Sequence, residues 1–223
     1  MRYIIFLFLL ITSTCFSQKR YSFDFLIEYE FNSIKDSLSN KEVLYLTNSK
    51  DNSYFAKIES MDTLYFDLEF VDQDKVWAET KVSKEDFFMA EGINLTCDYN
   101  LSYRNDFKFR TKEYEFELLP DTILNNKSLR QYKLKYIGKR KRKKSFPVGS
   151  NTYIIKDSTA FHLPILTHST AFEEWEINKK IPNGIFSEKI FYDYQNNIEY
   201  KFILKNCYKI KKSIIVPEDC LEQ

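Results

Sequence analysis

Apolar and polar residues alternate along two long segments of the chain, residues 21–31 and 93–103. In the first segment every second residue from Tyr21 to Phe31 is apolar, and the residues between them are mostly polar. Successive side chains of a β-strand point to opposite faces of a sheet, so this period of two is typical of a half-buried antiparallel strand. We therefore expect one strand in each segment, with its apolar residues on one face.

Shorter alternating segments predict the remaining strands. Residues 42–46 and 54–58 flank a polar turn, as do residues 64–70 and 75–82, so each pair is expected to form a hairpin. The alternation slips by one residue within 107–118, which a β-bulge would absorb. Five further strands are expected, at residues 129–137, 151–156, 187–194, 198–204 and 208–216.

One short helix is predicted after the second hairpin. Ser83 and Asp86 have the spacing of a capping box, and Gly92 can end the helix. Segments 120–128 and 158–180 contain proline and lack a regular period, so they are expected to be irregular.

The first seventeen residues have the composition of a secretory signal peptide. Arg2 precedes an apolar run from Tyr3 to Ile11, and small residues occupy the −3 and −1 positions of a cleavage site before Gln18. The apolar run has roughly nine residues, too few for a helix to span a bilayer. We therefore expect a signal peptide at residues 1–17 and an exported product, periplasmic or secreted, that is not an integral membrane protein. Lipid attachment at Cys15 is the minor alternative.

The predicted elements indicate an all-β fold. Residues 18–223 contain no repeat and no linker, so they are expected to form a single β-rich domain. The sequence is rich in aromatic residues, with 20 Phe and 16 Tyr. A sheet with one aromatic face must cover that face by curling, by packing on another layer or by binding a partner. We expect a strongly curved antiparallel sheet or a partial barrel with one short helix.

The overall charge is balanced, with 33 basic residues against 32 acidic ones. Such a chain has no global field that would attract nucleic acid, which is therefore not an expected partner. The exception is a local basic run, which is interpreted as a solvated hairpin tip or, alternatively, as a salt-dependent contact with an anionic envelope surface. This run consists of Lys139, Arg140, Lys141, Arg142, Lys143 and Lys144.

Three cysteines follow the leader: Cys97, Cys207 and Cys220. Cysteines are expected to pair in an oxidising compartment. Cys207 with Cys220 is the candidate disulfide, which would tie down the C-terminal tail, and Cys97 with Cys207 is the competing pair. The sequence does not decide between them.

No arrangement of residues predicts catalysis, a cofactor or a metal. The sequence has no Gly-x-Ser-x-Gly motif that would expose a nucleophile beside a base. Its two histidines, His162 and His168, lack further ligands at a recognised metal spacing and are expected to be ordinary loop residues. The remaining enzymatic alternative is an uncharacterised hydrolase, whose two carboxylates would converge only in space.

Segment 116–166 resembles the bacterial exported proteins of the GLPGLI family. The likeness lies in residues 119–123, 132–136 and 153–157 and in the string His162-Leu163-Pro164-Ile165-Leu166. That string takes the place of the Gly-Leu-Pro-Gly-Leu-Ile motif of the family, without its two glycines. The resemblance implies a secreted or periplasmic β-rich protein of unknown biochemical role, and it implies no functional residue.

These observations favour a non-catalytic exported envelope protein. Its concave aromatic sheet face is expected to bind a hydrophobic, lipid-like ligand or a protein partner. The alternatives are that these aromatic residues are only core, and that the protein is a structural or adhesive interaction module acting through its surface and the basic run. The candidate ligand-lining residues are Phe23, Phe25, Leu95, Tyr99 and Leu101.

Overall fold

The computed structural model describes residues 18–34, 40–73, 75–96, 100–102, 105, 108–138 and 148–217. Several of the predicted features therefore lie outside the described residues: the signal peptide, Cys15, Cys97, Tyr99, the basic run and Cys220. In the described part of the chain, no helix is long and apolar enough to cross a membrane.

Within these residues, twelve strands form one sheet. The strands are β1 (Gln18–Ser33), β2 (Lys41–Asn48), β3 (Asp51–Ser60), β4 (Tyr65–Asp72), β5 (Val76–Ser83), β6 (Gly92–Asn94), β7 (Asn100–Ser102), β8 (Tyr114–Leu124), β9 (Lys127–Tyr136), β10 (Ser150–Ile155), β11 (Phe186–Tyr192) and β12 (Ile198–Pro217). The described part of the chain also has two α-helices, α1 (Lys84–Met89) and α2 (Ser169–Asn178), and short 3-10 helices at Lys108–Glu113 and Asp157–Thr159.

The sheet is antiparallel apart from one short strand. Its order is β7-β5-β4-β3-β2-β1-β12-β11-β10-β9-β8, and β6 lies parallel to the end of β12. The two end strands, β7 and β8, do not pair with each other, so the described sheet stays open rather than closing into a barrel. The predicted all-β class is confirmed.

Strands β1 and β12 form the centre of the sheet. They pair from Gln18 opposite Pro217 to Ser33 opposite Tyr200, with register shifts after Phe23 and after Glu28. Such β-bulges bend a strand and increase its twist. Half of the sheet is then built outward from β1 and the other half from β12.

Both faces of the sheet carry buried residues. A first core cluster includes Leu46, Ile58 and Phe70 together with Phe87 of α1. A second core cluster, on the other face, includes Val43 and Tyr45 together with Tyr153 and Trp175 of α2. The apolar residues of segment 21–31 were expected on one face, but they divide between the two clusters at the first register shift. Tyr21 and Phe23 belong to the first cluster, and Phe25, Ile27 and Tyr29 belong to the second.

Helix α1 begins as the sequence predicts. The Ser83 hydroxyl oxygen accepts a hydrogen bond from the Asp86 backbone N–H at 3.0 Å and donates to the Asp86 carboxylate at 2.6 Å. The helix ends at Met89 with Ala90 as its C-cap, short of the predicted end at Gly92. Phe87 is fully buried, so this short helix fastens the first core cluster.

Removing the cap of α1 tests this arrangement. We expect Ser83→Ala to lower the free energy of unfolding by about 1 kcal/mol, because an N–H of the first helical turn loses its acceptor. Urea denaturation followed by circular dichroism measures the change. The exposed neighbour Glu85 is the control, and Glu85→Ala should change stability by less than about 0.5 kcal/mol. Equal losses in both variants would contradict the role of the cap.

Helix α2 lies in a segment that was expected to be irregular. Its buried residues include Glu173 and Glu174 beside Ala171 and Trp175, so the buried face does not have an apolar period of 3.6 residues. The helix ends at Asn178, and the backbone of its C-cap residue, Lys179, is left-handed with φ of 48°. The polar buried face is the reason that the sequence pattern did not indicate a helix.

Two of the predicted strands are wrong in extent. Segment 93–103 is not one strand: it begins with β6 beside β12 and ends with β7 beside β5. Segment 107–118 contains a 3-10 helix, Lys108–Glu113, followed by β8, so the slip in alternation marks a change of element and not a bulge.

The C-terminal half is more regular than predicted. Segments 198–204 and 208–216 form one continuous strand, β12. Segment 120–128 is a hairpin in which Asn125 and Asn126, with φ of 49° and 61°, connect β8 to β9. Asparagine tolerates positive φ better than most residues, which suits a two-residue hairpin turn.

Candidate functional site

The predicted ligand-lining residues do not share one surface. Phe23 and Leu95 are buried in the first core cluster, where the Phe23 ring lies 5.4 Å from the Tyr54 ring. Phe25 is buried in the second cluster, with its ring 5.4 Å from that of His162. The side chains of Tyr99 and Leu101 lie outside the described part. The structure therefore does not bring the three described candidates together.

The other predicted site residues are placed only in part. Cys207 lies opposite Ile27, its sulfur is not bonded to any described cysteine, and burial raises the pKa of its thiol. Because Cys97 and Cys220 are not described, the disulfide between Cys207 and Cys220 stays a prediction. The same holds for the basic run at residues 139–144 and for any contact that it makes.

The two histidines have different surroundings. His162 is buried, and its Nδ1 donates to the Leu163 carbonyl oxygen at 2.5 Å, so Nε2 accepts from the Thr47 hydroxyl at 2.9 Å. Burial lowers the pKa of His162, which makes it a neutral core residue. His168 is exposed at the residue before α2. No cluster of three His, Cys, Asp or Glu side chains suited to a metal occurs among the residues that the structure covers.

Four half-buried aromatic rings lie side by side where β1, β12 and β11 adjoin. We call them the aromatic patch: Phe31, Phe191, Tyr200 and Phe202. The Phe191 and Tyr200 rings are stacked at 4.8 Å with an angle of 10° between their planes. The Phe31 and Phe202 rings are 5.1 Å apart. Phe31 is paired with Phe202 and Phe191 with Tyr200, so strand register places all four rings on one sheet face.

The aromatic patch continues into the second core cluster. The ring of Phe202 lies 6.3 Å from that of Tyr29 and 6.5 Å from that of Tyr45. Both tyrosines are buried. The patch is thus the solvent-accessible edge of the second core cluster. Elsewhere on the same sheet face, loop 163–168 and α2 cover the residues of this cluster.

A lysine lies among these rings. Lys189 of β11 is paired with Phe202 on one side and with Tyr153 on the other, so it points to the aromatic face. Its ammonium donates to the Thr167 hydroxyl at 2.9 Å and lies 5.5 Å from the Phe202 ring centre. Burial, with a smaller contribution from the nearby Lys57 ammonium, lowers the pKa of Lys189 to about 8.

Lys189 differs from its basic neighbours in having no acidic partner within the described ranges. The Lys57 ammonium lies 3.1 Å from Glu59 and 3.8 Å from Glu69, and the Lys41 ammonium lies 2.8 Å from Glu59. No described carboxylate lies within ion-pair distance of Lys189. A desolvated ammonium without a counter-ion is costly, and groups with strongly shifted pKa values cluster at functional sites.

Two cavities meet at Lys189. One is a narrow cleft of about 20 Å³ between Tyr29, Tyr45 and Phe202, large enough for about one water molecule. The other is an open pocket of about 340 Å³, which we call the lysine pocket. Its lining includes Tyr114, Leu134, Asn151, His168, Phe191 and Tyr200.

One polar atom of the lysine pocket lacks a partner. Asn151 is 8% exposed, and its Oδ1 is buried without a hydrogen bond from the protein. The nearby Tyr153 hydroxyl, two residues along the same strand, is also buried and unpaired. A buried polar atom of this kind costs free energy unless another molecule bonds it.

The aromatic patch and Lys189 were not among the sequence candidates. Phe31 ends the predicted alternation of the first segment, and the other residues lie within predicted strands. The signal that could have found them is the pair Tyr200 and Phe202 at a spacing of two, close to Phe191. The pairing of β1 with β12, which unites them, has no counterpart in local sequence.

No protein-family model and no curated protein matches the chain. Among solved structures, the complex of Pseudomonas aeruginosa MucA and MucB is similar over 90% of this chain and 55% of that one, with 6% identity and a TM-score of 0.42. A crystal structure of MucB is similar over 90% of this chain and 57% of that one, with 5% identity and a TM-score of 0.41. The domain of a putative outer membrane lipoprotein-sorting protein from Vibrio parahaemolyticus is similar over 92% of this chain and 91% of that one, with 8% identity and a TM-score of 0.32.

The chain thus spans just over half the length of the first two structures that it resembles. A likeness of this degree assigns neither a family nor a function to the chain.

Proposed function

We propose that the protein is an exported, non-catalytic binding protein that holds an apolar ligand against the aromatic patch. The observation that carries the proposal is the run of four half-buried rings on one sheet face, bordered by the lysine pocket. A contiguous accessible apolar surface rimmed by polar groups marks a place where a ligand or partner binds. The composition of residues 1–17 supports export.

The shape of the site supports a small ligand. The lysine pocket has a volume of about 340 Å³, near the lower end of the range for small-molecule sites. Its lining combines aromatic and aliphatic side chains with a few polar groups: an ammonium, an amide, an imidazole and the hydroxyls of Ser150 and Thr167. Such a lining holds an apolar body and fixes its orientation through the polar groups.

A fluorescent, uncharged probe tests the proposal. N-phenyl-1-naphthylamine should bind the protein saturably, with a rise in fluorescence. The double variant Phe191→Ala and Tyr200→Ala should bind it about tenfold more weakly, because two rings of the patch are removed. Phe88→Ala is the matched control, since Phe88 is an exposed ring on α1, beside the first core cluster and away from the patch.

The proposal fails if the wild-type protein gives no saturable binding of the probe. It also fails if the double variant binds the probe as the wild type does. Thermal unfolding of each variant establishes that it is folded before the affinities are compared.

A further inference from the structure

We infer that the ligand of the aromatic patch carries a single carboxylate, and that Lys189 and Thr167 bind this group where the lysine pocket adjoins the narrow cleft. The inference rests on the proposed function and adds the chemical class of the ligand: a monocarboxylate with an apolar chain.

The geometry provides two donors side by side. The Lys189 ammonium donates one of its three hydrogens to the Thr167 hydroxyl oxygen at 2.9 Å. The Thr167 hydrogen and the other ammonium hydrogens can then reach a third group. A carboxylate has two oxygens that accept, one for the hydroxyl and one for the ammonium.

The charge of the site suits one negative charge. Lys57 and Lys41 already have Glu59 and Glu69 as partners, so Lys189 is the cation beside the patch that a ligand would neutralise within the described residues. Among the described residues, no arginine lines the lysine pocket to form the planar fork that favours phosphate. A dianionic phosphate would therefore be left with charge uncompensated in a partly desolvated place.

The position of Lys189 joins the head of such a ligand to its apolar chain. Lys189 lines both the narrow cleft and the lysine pocket, and it is directly paired with Phe202 of the patch. A carboxylate at Lys189 would therefore place the adjoining alkyl chain along Phe191 and Tyr200, which line the same pocket.

Asn151 is an independent sign that the pocket receives a polar group. Its Oδ1 is buried and lacks a protein donor, and Asn151 lines the same pocket. A carboxylate has no hydrogen to give to this oxygen, so a water molecule bound beside the head of the ligand would donate to it. Asn151 is paired with Phe191, and two residues further along the strand Tyr153 is paired with Lys189. All four side chains therefore lie on the same face of the sheet.

Calorimetric titration of the mature chain at pH 7 tests the inference with decanoate, decan-1-ol and decyl phosphate. Decanoate should bind at least about tenfold more tightly than the alcohol of equal chain length, and more tightly than decyl phosphate. Lys189→Met should reduce the preference for decanoate over the alcohol to about twofold or less. The exposed Lys209 is the control, and Lys209→Met should keep the preference of the wild type.

Each outcome bears on a different claim. Equal affinity for decanoate and decan-1-ol, or a preference that persists in Lys189→Met, overturns the carboxylate site while the proposed apolar site stands. Tighter binding of decyl phosphate overturns the choice of a monocarboxylate. If neither the naphthylamine probe nor any decyl compound binds, the proposed function falls as well.

The preference for decanoate should also decline above about pH 8, because Lys189 is protonated below its pKa of about 8 and neutral above it. A bound carboxylate raises that pKa, so the decline should extend to higher pH than in the free protein. Burial raises the pKa of each tyrosine near Lys189, so these groups stay neutral over this range. The titratable and charged groups that face Lys189 are Lys57, His168, Tyr29, Tyr45, Tyr114, Tyr153 and Tyr200. A preference that is constant from pH 7 to pH 10 would contradict the role of Lys189.

Discussion

Asp72→Ala should lower the free energy of unfolding by about 3 kcal/mol, the largest loss that we expect from a single polar side chain of this protein. Asp72 ends strand β4 and is 1% exposed. Its Oδ2 accepts from the Tyr21 hydroxyl at 2.6 Å and from the Lys19 ammonium at 3.1 Å, and the Lys75 ammonium lies 3.7 Å away. The carboxylate thereby ties the start of β1 to the end of β4.

Most of this loss should come from Tyr21. Its hydroxyl is buried and would lose its charged acceptor, whereas the two lysines are largely exposed and can turn to solvent. A hydrogen bond to a charged group contributes about 1.5–3 kcal/mol, and an exposed ion pair contributes at most about 1 kcal/mol. Tyr21→Phe should therefore lose about 1.5 kcal/mol, and Asp72→Asn, which keeps an acceptor oxygen, should lose less than Asp72→Ala.

Urea unfolding of the single variants and of the double variant Tyr21→Phe with Asp72→Asn measures the coupling between the two side chains. Asp121→Ala, in an exposed part of β8, is the control and should change stability by less than about 0.5 kcal/mol. A coupling energy near zero would mean that the bond between Tyr21 and Asp72 does not stabilise the fold.

The elements that the sequence predicted well are those whose signals are local. The hairpins β2–β3 and β4–β5 are confirmed, since each consists of two alternating segments around a short polar turn. The start of α1 is confirmed because its capping residues lie three positions apart. In each case the residues that determine the structure are close together in the chain.

The elements that were missed depend on distant partners. The alternation in segment 93–103 shows that both ends suit a strand, but it does not show that β6 pairs with β12 while β7 pairs with β5. Helix α2 was missed because Glu173 is buried through hydrogen bonds from Thr111 and Asn105, contacts that no helical period displays.

The candidate site was missed for the same reason. The rings of Phe31 and Phe202 meet only because β1 pairs with β12, which is distant in the sequence. Lys189 lies between a polar residue, Glu188, and an apolar one, Ile190, in the sequence. This local pattern does not distinguish Lys189 from an ordinary solvent-facing lysine. That no described acidic residue pairs with it is a property of the folded sheet.

The burial of the Lys189 ammonium should weaken the fold. Lys189→Met should raise the free energy of unfolding at pH 7 by about 2 kcal/mol, because the pKa of Lys189 is lowered from 10.5 to about 8. One pKa unit corresponds to about 1.4 kcal/mol, and the hydrogen bond to Thr167 that the variant loses offsets part of the gain.

The gain should disappear at high pH. The folded wild type releases the Lys189 proton near pH 8, whereas the unfolded chain keeps it up to about pH 10.5. Between these values the unfolded chain binds more protons, so the stability of the wild type rises with pH relative to that of the variant. The penalty of Lys189 is complete below about pH 8 and is lost by about pH 10.5, and stability difference curves from urea unfolding at pH 7, 8.5 and 10 measure it.

Lys209→Met separates the effect of burial from that of removing a positive charge. Lys209 is exposed on β12, so its replacement should change stability by less than about 0.5 kcal/mol at every pH. If Lys189→Met is no more stable than the wild type at pH 7, the ammonium is not desolvated and the argument for a functional lysine loses its energetic basis. The opposite result is that Lys189→Met is more stable than the wild type at pH 7 but binds decanoate no better than decan-1-ol. In that case the charge of Lys189 costs folding free energy in the wild type, and the binding of the carboxylate recovers that free energy. That exchange of stability for affinity is what distinguishes a binding lysine from one that only lies on the sheet.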